Sequence, residues 1–163
     1  MQRIGLVLKS AEEQTLVLGD RIRSFLQERG KDILLEPSCA DLADRWKARV
    51  TTDIADESDL LVVLGGDGTI LRAAALLNDK STPVLGVNLG RVGFMADISP
   101  EEALPELKAV LNGSAVFPRR MLLQVTLPDG TVRRVLNEVV IHWGGIARLI
   151  DLGIRMGSSR EIE

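Results

Sequence analysis

Short apolar runs recur along the first part of the chain at the length of a β-strand. Residues 4–8 (IGLVL), 33–35 (ILL), 59–64 (DLLVVL) and 83–88 (PVLGVN) contain almost no charged side chains. Runs of this kind predict strands that are buried on both faces, as in a parallel sheet. We therefore expect these four runs to form one sheet.

The segments between the runs show the spacing of amphipathic helices. One apolar stripe at helical spacing consists of Leu18, Ile22, Phe25 and Leu26. Gly30 lies just beyond it, where a helix commonly ends. A second helix is predicted to begin near Thr69, where good helix formers follow. The pattern of residues 38–56, which are rich in alanine and charge, fits a helix, a mobile loop or both.

Capping signals mark a third helix. Ser99 suits the N-cap, Pro100 suits the first helical position, and Glu102 stands where a capping box places its acid. An apolar stripe follows as far as Leu111, and Gly113 comes after it. The alternation of strand and helix predicts an α/β fold, a Rossmann-like open parallel sheet with helices on both faces.

The pattern changes near Phe117. Residues 121–127, 131–142 and 147–156 each have the pattern of a strand, and an Asp-Gly pair (129–130) predicts a hairpin turn between the first two. We predict two domains, an α/β nucleotide-binding domain over 1–117 and the start of an antiparallel all-β domain over 118–163. Three strands are few for a stable β domain, so we expect the chain to be part of a longer protein.

Composition then removes several classes of protein. Among 163 residues, a single cysteine and a single histidine argue against a disulfide scaffold and against a Cys/His metal centre. The net charge is −3 and no basic run is present, which disfavours a nucleic-acid partner. No apolar run approaches the ~20 residues that span a bilayer, and the N-terminus lacks the pattern of a signal peptide. We expect no membrane association and a cytoplasmic location.

The residues that follow the third apolar run are Gly65-Gly66-Asp67-Gly68-Thr69. Ligands of open parallel sheets bind beyond the carboxyl ends of the strands, and a helix N-terminus attracts phosphate. Glycines leave room for a phosphate to approach the backbone. The loop matches neither a Walker A sequence nor G-x-G-x-x-G. Taken alone, it predicts either a phosphate loop or a plain turn from strand to helix.

Two further motifs decide between these interpretations. Residues 86–94 (GVNLGRVGF) form a second glycine-rich loop after the next strand, so both loops are expected to face one crevice. Asn137-Glu138 follows much later in the chain. The NAD kinases contain a GGDGT loop, a LGxNxGxxGF loop and an Asn-Glu pair that opens a strand, in that order. This chain contains all three motifs and closely resembles that family. The resemblance covers essentially all of the chain but only about the first half of a family member.

The resemblance implies transfer of the terminal phosphoryl group of ATP, or of polyphosphate, to the 2′-hydroxyl of the adenosine ribose of NAD, which makes NADP. It implies Mg²⁺ as the divalent cation. It assigns catalysis to Asp67, the phosphate loop to Gly65, Gly66 and Thr69, and NAD contacts to four further residues. These four are Gly68, Phe94, Asn137 and Glu138.

Several roles stay open at this point. Asp67 is interpreted as the general base, with orientation of the hydroxyl or binding of Mg²⁺ as competing roles. Asn137 and Glu138 are adjacent, so they point to opposite faces unless the strand starts, bends or bulges there. Phe94 is also explained as a packing residue.

Two other functions fit parts of the pattern. One is a non-catalytic nucleotide-binding α/β module, and the other is a lipid kinase of the GGDGT type. The second glycine-rich loop favours NAD as the substrate. By the same resemblance the partners are NAD and ATP, and the full-length protein is expected to be a homo-oligomer. The family's later TPTGST-like segment is not among these residues.

Overall fold

The structure is a computed structural model that describes residues 1–9, 12–77, 80–90, 93–142, 153–156 and 160–162, the side chains only as far as residue 154. A five-stranded parallel sheet forms its centre. The strands are β1 (Arg3–Leu8), β2 (Asp32–Leu35), β3 (Arg49–Val50), β4 (Leu60–Gly65) and β5 (Val84–Asn88), in the order β3-β2-β1-β4-β5. The four predicted strands are confirmed, with bounds that differ by one residue at most.

Five α-helices in the described ranges accompany the sheet: α1 (Glu13–Gln27), α2 (Ala43–Trp46), α3 (Ile54–Glu57), α4 (Asp67–Leu77) and α5 (Ala103–Leu111). Residues of α1 and α5 pack with alternate residues of β1, β4 and β5 in one buried cluster. Residues of α3 and α4 pack with the intervening strand residues in a second cluster. Helices therefore cover both faces of the sheet, as predicted.

The helical stripe predicted for α1 is confirmed. Leu18, Ile22 and Leu26 are buried, and Phe25 packs against the same cluster. The helix ends at Gln27, and Gly30 adopts a φ of +63° in the turn that leads into β2. A residue with a side chain would be strained at that φ, so this glycine supports the abrupt reversal of the chain.

The stretch 38–56, whose pattern fits a helix, a loop or both, combines short helical segments with turns and one two-residue strand. A 3₁₀ segment (Pro37–Leu42) leads into α2, and β3 and α3 follow. Trp46 is fully buried at the end of α2, and its indole N–H donates to an Asp20 carboxylate oxygen at 2.8 Å. One large side chain therefore anchors a segment whose sequence has no clear periodicity.

The capping box of α5 forms, but the helix begins later than predicted. The Ser99 N–H donates to the Glu102 carboxylate at 2.9 Å, and the Glu102 N–H donates to Ser99 Oγ at 3.4 Å. These bonds close a turn, and α5 starts at Ala103, so the placement of Pro100 at the first helical position was wrong. A start at Pro100 would put Pro105 inside the helix, where its missing N–H breaks the hydrogen-bond ladder.

The predicted hairpin is also present, with shorter strands. Strand β6 (Leu123–Thr126) pairs antiparallel with β7 (Val132–Val135), and Gly130 in the turn has a φ of +82°. Because Val135 pairs with the first residue of β6, β7 loses its partner there and a bend follows at residues 136–137. Asn137-Glu138 therefore does not open a strand, which corrects the prediction for residues 131–142.

The last predicted strand is only partly described. Residues 147–152 lie outside the described residues, and β8 (Ile154–Met156) pairs antiparallel with β9 (Arg160–Ile162). The division of the chain near residue 117 stays a prediction. Among the described helices, none combines the length and the apolar character that crossing a bilayer requires.

Candidate functional site

The direction in which strands are added to the sheet changes between β1 and β4. The chain adds β2 and β3 on one side of β1, then returns to lay β4 and β5 on the other side. Ligands of doubly wound sheets bind at such a switch point, beyond the carboxyl ends of the strands. Lys9 follows β1 at this edge, and Gly66 follows β4.

A pocket of about 370 Å³ lies at the switch point. It is lined by Lys9, Gly66, Gly68, Thr69, Arg72 and Gly90. Gly90 belongs to the second glycine-rich loop, and Gly66, Gly68 and Thr69 belong to the first. The expectation that both loops face one crevice is therefore confirmed.

Helix α4 begins inside the GGDGT sequence. It starts at Asp67, two residues before the predicted position, and the N–H groups of Thr69 and Ile70 donate to the Gly66 carbonyl at 2.9 and 3.2 Å. The first N–H groups of a helix have no partner within the helix, and the helix dipole favours an anion beside them. The pocket therefore lies at a helix end suited to phosphate.

The presence of glycine is explained differently at different positions of the GGDGT loop. A Cβ on Gly65 would lie 2.2 Å from Thr69 Oγ1 and 2.7 Å from Thr69 Cβ, so the packing of α4 on β4 requires glycine there. A Cβ on Gly66 or Gly68 would meet nothing within 4 Å, and neither residue has a positive φ. Packing does not require glycine at these two pocket-lining positions, and the space above them is open to a ligand.

The Asp67 carboxylate joins the two loops. The Phe94 N–H donates to Oδ2 at 3.0 Å, and the Met95 N–H donates to Oδ1 at 3.2 Å. A Cβ on Gly93 would lie 2.3 Å from Oδ1 and 2.8 Å from Cγ, so only glycine allows the second loop to approach this closely. Each carboxylate oxygen keeps capacity for a second hydrogen bond.

Two cations in the pocket were missed by the sequence analysis. Lys9 comes directly after β1, and Arg72 lies four residues after Gly68, on the same face of α4. The signal was available for Arg72, because helical spacing places it beside the loop. Lys9 becomes visible only when the strand order brings the end of β1 next to that of β4.

Three other predicted site residues, Phe94, Asn137 and Glu138, are not among the residues that line this pocket. The Phe94 side chain is 94% exposed, which disagrees with its interpretation as a core packing residue. Asn137 and Glu138 are exposed after β7 and do not line the pocket. Leu136 packs against the cluster that contains Ile70 of α4, so the segment after β7 comes close to that helix.

A resident metal site is not evident in this part of the molecule. Within the described ranges, no three His, Cys, Asp or Glu side chains form a group that could hold an ion. Magnesium often keeps several waters and binds one or two carboxylates together with substrate phosphates.

Comparison with known proteins agrees with this geometry. The family model described as the ATP-NAD kinase N-terminal domain matches residues 4–115. The NAD kinase of Geotalea daltonii is 38% identical over 156 residues, which cover 93% of this chain and 55% of that protein. The NAD kinase of Natranaerobius thermophilus is 32% identical over 164 residues, which cover 98% of this chain and 57% of that protein. The chain thus spans about half the length of the curated relatives it matches.

Solved structures agree as well. Yeast NADH kinase complexed with NADH superposes with a TM-score of 0.70 at 20% identity, over 82% of this chain and 46% of that one. An Archaeoglobus fulgidus NAD kinase in complex with ATP gives a TM-score of 0.50 at 25% identity, over 79% of this chain and 45% of that one. Because the family model covers more than half of its residues, the chain belongs to the ATP-NAD kinase family and contains the N-terminal domain of that family.

Proposed function

We propose that this chain is the nucleotide-binding part of an NAD kinase, which transfers the terminal phosphoryl group of ATP or polyphosphate to the adenosine-ribose 2′-hydroxyl of NAD. The proposal rests on one observation above the others. The family motif residues Gly66 and Gly68 form the open floor of a pocket at the N-terminus of α4, with Lys9 and Arg72 beside it. Backbone N–H groups and two cations are the partners that a diphosphate requires.

Asp67 is the proposed general base. Its carboxylate is held by two backbone N–H groups, so its direction is set before substrate arrives. One lone pair on each oxygen is available to the 2′-hydroxyl, whose proton Asp67 accepts as the phosphoryl group is transferred. A loose transition state places little demand on early deprotonation, so a carboxylate suffices. Orientation of the hydroxyl is the competing role for the same atoms.

Gly68 and three more distant residues complete the proposed NAD site. Gly68 lets the diphosphate approach the backbone, and the exposed Phe94 ring packs against the dinucleotide. Asn137 and Glu138 bind the adenosine part, the amide through the adenine edge and the carboxylate through ribose hydroxyls. The bend at residues 136–137 removes the strand geometry that would point these two side chains to opposite faces.

Magnesium enters this proposal as part of the donor substrate. Its ligands would be the donor phosphates and water, with the Asp67 carboxylate of the first glycine-rich loop as a protein group able to contribute. The Archaeoglobus fulgidus relative, which was solved in complex with ATP, supports ATP as a donor. Homo-oligomer formation and a cytoplasmic location stay predictions.

The test is direct measurement of the product. Incubation of the full-length protein that contains this chain with NAD, ATP and Mg²⁺ should form NADP, detected through an NADP-specific dehydrogenase, and Asp67→Ala in that protein should abolish it. Diacylglycerol and sphingosine serve as competing acceptors. Phosphorylation of a lipid without NADP formation would support the GGDGT lipid kinase, and nucleotide binding with no transfer to any acceptor would support the non-catalytic module.

A further inference from the structure

Arg72 is held in place by two groups from neighbouring strands. One terminal nitrogen of its guanidinium donates to Glu36 Oε2 at 2.6 Å, and the other donates to the Leu8 carbonyl at 2.5 Å. Glu36 follows β2, and Leu8 ends β1, so both partners lie at the carboxyl edge of the sheet. Arg72 itself lines the pocket and is partly exposed.

Glu36 is an unusual residue for this position. It is 7% exposed, and its second oxygen, Oε1, is buried without a hydrogen-bond partner among the described residues. A buried carboxylate oxygen that lacks a donor destabilises the folded state, and a buried ion pair is seldom better than apolar packing. Stability therefore does not explain why a glutamate occupies this site.

We propose that Glu36 is a positioning residue for phosphate binding, which acts by fixing the guanidinium of Arg72 at the mouth of the pocket. The inference rests on the proposed function, since it deepens the role of the same pocket. With the Leu8 carbonyl, Glu36 engages both terminal nitrogens of Arg72 and removes most of the rotamer freedom of a long side chain. Less freedom is then lost when a diphosphate binds.

Glu36 also has a direct electrostatic effect on an anion in the pocket, and this effect is opposite to that of positioning Arg72. Glu36 brings a negative charge near an anion site. If only Coulomb interactions mattered, removal of this charge would strengthen the binding of a diphosphate. Its removal as a positioning residue would weaken binding, because Arg72 would become mobile. The two explanations predict opposite changes in the same dissociation constant.

The experiment is calorimetric titration of inorganic pyrophosphate into the whole chain and into Glu36→Gln. Glutamine keeps the size of the side chain and removes the charge. We expect the dissociation constant to rise about tenfold, by analogy with the low end of the effect of removing a hydrogen-bond partner of a metal ligand. The melting temperature should fall, because Arg72 loses its charged partner, so affinity is compared at a temperature where both proteins are folded.

Two further variants separate positioning from general damage. Glu57→Gln disrupts another Arg-Glu pair, that of Arg49 with Glu57, which does not line the pocket, and should leave pyrophosphate binding unchanged. In an Arg72→Gln background, Glu36→Gln should have no further effect, since Glu36 acts through Arg72. If Glu36→Gln does not fold, Glu36→Asp keeps the charge but shortens the reach, and it should weaken binding in the same way.

Three results would overturn the proposal: unchanged or tighter pyrophosphate binding by the Glu36 variant, an equal loss in the Arg72→Gln background, or no pyrophosphate binding by the unaltered chain. The NAD kinase assignment is measured separately, through NADP formation. Normal pyrophosphate binding by Glu36→Gln together with NADP formation would therefore remove the role of Glu36 and leave the assignment intact.

Discussion

The carboxylate of Asp67 accepts a hydrogen bond from the backbone N–H of Phe94 at 3.0 Å, and this bond links the two glycine-rich loops of the pocket. The Met95 N–H binds the other carboxylate oxygen at 3.2 Å. The proposed base and the second loop therefore form one structural unit. A change in either loop is expected to alter the position of the other.

Gly93→Ala tests this unit from the side of the second loop. The added Cβ would lie 2.3 Å from Asp67 Oδ1, so either the loop or the carboxylate must move. We expect NADP formation to fall at least about tenfold, as a displacement near 1 Å does elsewhere. The fall should appear in kcat more than in the KM for ATP. Unchanged kcat would show that the contact has no part in catalysis.

Asp67→Asn and Asp67→Ala separate the roles of the carboxylate. Loss of a general base lowers the rate by about 10²–10⁴-fold, so both variants should lose NADP formation. An asparagine has only one acceptor oxygen, so the N–H of Phe94 or of Met95 also loses its partner. Steady-state kinetics give the answer. If the Asn variant keeps nearly full activity, Asp67 orients the hydroxyl and is not the base.

Gly68→Ala and Gly65→Ala form a matched pair that distinguishes binding from packing. A Cβ on Gly68 meets nothing within 4 Å, so the alanine variant should be as stable as the parent or more stable by up to about 1 kcal/mol, yet bind pyrophosphate poorly. A Cβ on Gly65 overlaps Thr69, and that variant should lose about 1–3 kcal/mol of unfolding free energy. Urea unfolding and calorimetry together measure both effects. Equal pyrophosphate affinity in Gly68→Ala would exclude close approach of a phosphate at this position.

The free energy of unfolding should depend on pH through the carboxylate of Asp59. Its carboxylate accepts hydrogen bonds from the backbone N–H groups of Arg3 and Gln2, and these bonds lower the pKa of Asp59. A lowered folded-state pKa contributes stability that is complete above the ordinary aspartate pKa of about 4 and is lost as the pH falls through the folded value.

Asp59→Asn should therefore cost about 1 kcal/mol near neutral pH, at the low end for charged hydrogen bonds because the carboxylate is partly exposed. The difference from the parent chain should shrink as the pH falls from about 4 through the folded pKa. Urea unfolding at several pH values between about 7 and 3 measures it. A difference that does not vary with pH would assign the effect to side-chain packing.

Much of this fold followed from the sequence because its strongest signals are local. The apolar run that became β4 and the stripe of α1 need no knowledge of distant residues, and both are confirmed. The start of α5 was misplaced because Pro105 limits how far the helix extends toward Ser99. The end of β7 was missed because a strand lasts only as long as its partner, which the pattern of one strand does not contain.

The site was predictable to the extent that it consists of motifs. Gly66, Gly68 and Thr69 are part of GGDGT, and the structure places all three in one pocket. Lys9 has no motif around it, and it reaches the pocket only through the order of the strands. The role of Glu36 is harder still to predict from the sequence, because its contact with Arg72 joins residues 36 positions apart.

Calorimetric titration of NAD into the folded 163-residue chain tests the central claim most directly. We expect saturable NAD binding at one site, lost in Gly68→Ala and weakened in Asn137→Ala, with circular dichroism confirming that each variant is folded. Absence of NAD binding by the folded parent chain, or equal binding by Gly68→Ala, would contradict the claim that the crevice between β1 and β4 holds the dinucleotide.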